Sequence, residues 1–82
     1  MFETYEWTYK IKDSRIKVVF MAREQKTVEE MIYYLSMLVH NPPTKLIKKK
    51  KVFIDEPPYP IEQRQINLYK QKCKERGLIA DA

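Results

Sequence analysis

TVEEMIYYLSMLVHN, residues Thr27 to Asn41, decides the fold, because a helical reading of it is hard to escape. Thr27 stands three residues before Glu30, the spacing at which the Thr27 hydroxyl accepts from the Glu30 amide while the Glu30 carboxylate accepts from the Thr27 amide. Val28, Met31, Ile32, Leu35, Leu38 and Val39 recur at intervals of three and four, one stripe of a 3.6-residue helix. Pro42 and Pro43 push the residue before them out of the helical region, so the helix is expected to end at Asn41 after about four turns. His40 then lies in the last turn, where its ring can cover free carbonyls and its charged form suits the dipole.

A stripe of that kind needs a partner surface, and the residues before it supply one. From Tyr5 to Lys12 the chain alternates with period two, setting Tyr5, Trp7, Tyr9 and Ile11 against Glu6, Thr8, Lys10 and Lys12. From Arg15 to Arg23 it alternates again, with Ile16, Val18, Phe20 and Ala22 opposite Lys17, Val19, Met21 and Arg23. If Asp13 and Ser14 form the loop of a hairpin, Ile11 opposes Ile16, Tyr9 opposes Val18, Trp7 opposes Phe20 and Tyr5 opposes Ala22. Both apolar sets then share a face, and a slip of one residue would turn one set away. Asp-Ser lacks the glycine that tight hairpin turns favour, which leaves room for a longer loop. The hairpin face and the helix stripe are the two largest apolar surfaces, so the core is expected between them.

Beyond Asn41 the pattern changes. Lys48 to Lys51 cannot all face solvent in a regular strand with one side buried, so a third strand is expected only from Lys51 to Asp55, lysine-flanked as sheet edges are, and either parallel or antiparallel. Pro57, Pro58 and Pro60 then predict an extended strap, with Pro60 in the first turn of a final helix over 61–76 that Gly77 stops. Ile61, Ile66, Leu68, Tyr69 and Cys73 are placed on its apolar side, with Gln63, Arg64, Asn67, Lys70, Gln71 and Lys74 opposite. The tail from Leu78 to Ala82 is expected to pack loosely. These elements make an α+β domain of order β-β-α-(β)-α over residues 1–82: a hairpin and helix core over 1–41, a Lys- and Pro-rich connection over 42–60, and a basic amphipathic helix.

Eighty-two residues bound a single small domain of marginal stability. Apolar runs reach five residues, far short of the roughly 20 that span a bilayer, and the amino terminus has no signal-peptide core, so an intracellular, cytoplasmic protein without membrane partner is expected. Cys73 is the one cysteine and His40 the one histidine, so neither an internal disulfide nor a metal site is expected. The single glycine rules out a Gly-rich phosphate loop, no Ser-centred elbow is present, and Glu29 and Glu30 are accounted for by the helix start; an enzyme and a bound cofactor are not expected.

Charge is the stronger signal. Residues 1–41 hold six Lys or Arg against six Asp or Glu, and residues 42–82 hold ten against five, so the net charge of +5 comes from the second half. Lys45, Lys48, Lys49, Lys50 and Lys51, followed by a helix bearing Arg64, Lys70, Lys72, Lys74 and Arg76, are placed to contact successive phosphates. Gln63, Arg64, Asn67 and Gln71 are also types that read base edges. DNA or RNA is thus the expected partner, and the lysine run also fits a nuclear import signal. The rival interpretation is a solubilising, edge-protecting charge on a protein-binding module, a small regulator or inhibitor that covers another protein's surface, or a homodimer, any of which would use Val19, Met21, Tyr33 and Tyr34. Tyr5, Trp7, Tyr9 and Phe20 are read as core rather than a platform for stacked bases, and Glu56 to Pro60 as a linker rather than a peptide ligand.

Overall fold

A computed structural model describes residues 1–80, so the expectation for the tail reaches beyond it at Asp81 and Ala82. The chain folds as β1 (Phe2–Ile11), β2 (Lys17–Ala22), α1 (Gln25–Leu38), β3 (Pro43–Ile54) and α2 (Pro58–Glu75). The three strands form one antiparallel sheet in the order β2-β1-β3, an α+β architecture in the expected element order. The hairpin has the expected register, with Tyr5 opposite Ala22, Trp7 opposite Phe20 and Tyr9 opposite Val18. Its loop spans Lys12 to Arg15: the Ser14 amide donates to the Ile11 carbonyl, and Asp13 takes the left-handed conformation at φ 58° that glycine would otherwise supply.

Trp7, Tyr9, Phe20 and Ala22 are buried under Val28 and Met31 of α1 and Ile66 of α2. Tyr9 and Phe20 meet edge to face at 5.8 Å, and the Trp7 indole N–H donates to the Ala22 carbonyl at 2.8 Å. That bond lets a large ring be buried with its one polar group satisfied. Ile16, expected in this core, is 62% exposed, because it lies at the hairpin tip beyond the last paired residues, Lys10 and Lys17.

The helices depart from expectation at their ends. α1 begins at Gln25 with Glu24 as its cap, so Thr27 already lies inside the first turn and the Thr27–Glu30 capping box does not form. It ends at Leu38, with Val39 extended and the Arg76 guanidinium donating to the Leu38 carbonyl at 3.3 Å. His40 therefore follows the helix, exposed, and does not cap it. α2 begins at Pro58 instead of residue 61; Pro58 and Pro60 fill first-turn positions whose N–H groups have no helical partner in any case. At its other end Gly77, at φ 69°, closes a Schellman motif, with its amide donating to Lys74 and that of Leu78 to Cys73.

α2 packs beside α1 in the same direction: Tyr69 and Met31 line one cavity, the Cys73 thiol donates to the Tyr34 carbonyl at 3.4 Å, and Arg76 reaches Leu38. Its buried residues are Pro58, Glu62, Ile66 and Cys73, which recur at intervals of four, four and seven. Leu68, expected on that side, is exposed, and its place is taken by Glu62. Glu62 accepts from the Arg23 amide at 3.1 Å, from its Nε at 3.0 Å and from its Nη2 at 3.2 Å, a fork that pins the start of α2 to the end of β2. Hydrogen bonding to Glu62, opposed by desolvation and helped by its charge, raises the Arg23 pKa. With its thiol fully buried, Cys73 should react with a thiol reagent far more slowly in the native protein than in denaturant; equal rates would mean that α2 is not docked.

Candidate nucleic-acid interface

β3 is the main departure from the expected fold. It runs from Pro43 to Ile54, twelve residues where five were expected over 51–55, and it pairs antiparallel with β1 along its whole length. The expectation failed because it gave every strand a buried side. Every residue from Thr44 to Lys51 is exposed, so at this edge of the sheet lysines are accommodated on both faces. The residues between β3 and α2 shrink to a short link, and Tyr59 and Pro60 belong to the helix instead of to an extended strap.

Register divides the lysine run in two. Lys49 stands opposite Trp7 and Lys51 opposite Tyr5, on the face that carries the helices. The Lys49 ammonium lies 4.4 Å from the centre of the Tyr5 ring and 4.6 Å from that of Trp7, and Lys51 pairs with Glu3 at 3.3 Å. Lys48 and Lys50 stand opposite Thr8 and Glu6, on the open face. Strict alternation would put Lys45 on the other side from Lys48. An irregularity between Thr8 and Tyr9 leaves an extra residue on β3, so that Leu46 faces Tyr9, Lys45 faces Lys10, and Lys45 joins Lys48 and Lys50.

The same open face carries two lysines that the charge count of the second half does not include. Lys10 of β1 is paired with Lys17 on one side and with Lys45 on the other, so three ammonium-bearing side chains form one row across all three strands. The next rows are Val19, Thr8 and Lys48, then Met21, Glu6 and Lys50. Lys10, Lys17, Lys45, Lys48 and Lys50 are all exposed. The signal was present in the alternation, which already set Lys10 and Lys17 on the side away from the core.

The candidate residues of α2 form a separate group. Its inner side rests on α1 and β2, and a cavity of about 190 Å³ lies between them, lined by Val19, Phe20, Met21, Met31, Ile61, Gln65 and Tyr69. α2 packs on α1, β1 and β2 and has no comparable contact with β3, where the lysine run lies. Arg64 is bridged to Glu56 at 3.4 Å, Gln63 donates to Asn67 at 3.0 Å, and Gln71 donates to Glu75 at 3.5 Å. Lys70 lies 5.8 Å from the centre of the Tyr34 ring, and Lys74 is half-buried. The base-reading types on α2 are therefore engaged along their own helix or, for Arg64, with the link that precedes it.

Among the described residues no three His, Cys, Asp or Glu side chains are grouped to hold a metal ion, and no helix is long and apolar enough to cross a membrane. No family model matches the chain, and comparison with curated proteins and with solved structures finds no similar protein.

Proposed function

We propose that this protein is a non-catalytic module that binds nucleic acid by charge. The observation that carries this reading is the exposed lysine edge, Lys45 and Lys48 to Lys51, in which Lys51 alone has an ion-pair partner among the described residues. Lysine is a compact point charge on a flexible stem, and several of them on one surface attract a polyanion by releasing its counterions. The logarithm of affinity should then fall linearly with the logarithm of salt concentration, measured by fluorescence anisotropy on duplex and single-stranded oligonucleotides. Absence of binding to either at ~50 mM salt, where such attraction is strong, would reject the reading.

A protein partner is the second reading, and a specific observation favours it. Among the described residues β2 is an unpaired sheet edge beside the 190 Å³ cavity, with Val19 57% exposed next to it, an arrangement suited to an added strand. Measuring molecular size in the same samples separates self-association from polyanion binding.

A further inference from the structure

We infer that the ligand is the phosphate backbone of duplex DNA, held without regard to sequence on the open face of the sheet by Lys10, Lys17, Lys45, Lys48 and Lys50. This rests on the nucleic-acid reading above and narrows it to one face and one form of the polymer.

The row Lys17, Lys10, Lys45 is the starting point. Strands lie about 4.8 Å apart, and like charges directly opposite one another destabilise a sheet. Among the described residues none of the five open-face lysines has an ion-pair partner, and the one acid on these rows is Glu6, facing Lys50. A bound polyanion would relieve that repulsion. With Lys48 and Lys50 the row extends to a patch of about 10 by 14 Å, from three strands and from rows about 7 Å apart. Beyond Glu6 the face changes character: Thr4 is fully buried and Val52 half-buried, which confines the patch to the hairpin-tip half of the sheet.

What the face lacks decides the form of the polymer. Single strands are held by stacking bases on aromatic rings; Tyr5, Trp7, Tyr9 and Phe20 all lie on the opposite side, three of them buried in the core, and Phe2, the aromatic of β1 on this side, stands opposite Ile54, outside the lysine patch. The 2′-hydroxyl distinguishes an RNA duplex from DNA, and here it would meet one neutral hydrogen-bonding side chain, Thr8. A major groove about 12 Å wide admits a helix or a two-stranded ribbon, so a three-stranded face stays on the phosphate ridge and cannot reach base edges. Lysine on phosphate carries no sequence information.

The experiment measures affinity against salt for the wild-type chain with two 20-base-pair DNA duplexes of unrelated sequence, one of their single strands, and the matching RNA duplex. The two DNA duplexes should bind within about threefold of each other, and both more tightly than the single strand or the RNA. The double variant Lys10→Gln/Lys17→Gln should flatten the salt slope by about 1.8, at 0.9 for each phosphate no longer neutralised. It removes facing like charges and should fold, which circular dichroism checks. The variant Lys26→Gln/Lys72→Gln removes the same charge from the helices and should leave the slope nearly unchanged. Equal flattening by both double variants would overturn the assignment to the sheet face, and tighter binding of the single strand or the RNA duplex would overturn the assignment to duplex DNA. Each of these leaves nucleic-acid binding intact, whereas no binding by the wild type to any of the four overturns both.

Discussion

Trp7→Ala should leave the chain largely unfolded at 25 °C. The ring sits at the centre of the sheet opposite Phe20, 3% exposed, with its N–H spent on the Ala22 carbonyl. Truncating a buried aromatic of this size costs about 3–5 kcal/mol, and a domain of this length has little more than that in total. Lys49 loses one of the two rings beneath its ammonium as well, although at the edge of the core that adds little. Thermal melting followed by far-ultraviolet circular dichroism is the check. A melt like the parent's, with affinity for single strands reduced, would mean that Trp7 serves as a stacking surface instead of a core residue.

Glu62→Ala should have the second largest effect, lowering stability by roughly 2–3 kcal/mol. Hydrogen bonds to charged groups contribute about 1.5–3 kcal/mol each, but the three that meet here share one carboxylate and do not add. The Arg23 side chain is 47% exposed, so water replaces the carboxylate there, and most of the loss comes from its amide and from the anchoring of α2. Glu62→Gln keeps an acceptor for the amide and should fall between parent and Ala. Urea midpoints within about 0.3 M of the parent for both variants, which at a slope near 1 kcal/mol/M is a few tenths of a kcal/mol, would show that this fork holds nothing in place.

The hairpin was legible because its two alternations constrain each other. Burying both apolar sets places Trp7 opposite one of Val18, Phe20 or Ala22, and a short loop at Asp13 and Ser14 selects Phe20. Helix α1 was legible from its stripe, though not its ends, since Arg76 from the far end of the chain meets its last turn. The same distance hid Glu62. Within a polar, basic helix a glutamate looks like surface, and nothing local says that Arg23, 39 positions earlier, needs an acceptor. β3 was misjudged through a reasonable rule applied where it does not hold, because alternation informs only where one side of a strand is covered. The faces of Lys45 and Lys48 were beyond any periodic argument, since one extra residue between them reverses the parity.

The pairing of β3 with β1 also sets an order of events. The hairpin closes over a four-residue loop, whereas β3 must bring Pro43 to Ile11, 32 positions away, and Ile54 to Phe2, 52 positions away. Each doubling of loop length adds about 0.6 kcal/mol of closure entropy, so seating β3 starts about 2 kcal/mol behind. β3 is therefore expected to pair with β1 after the hairpin has closed, and its arrival brings Lys45 up against Lys10. The slowest step of assembly should then be the one at which the sheet's charges meet, and added salt should hasten refolding measured by stopped flow.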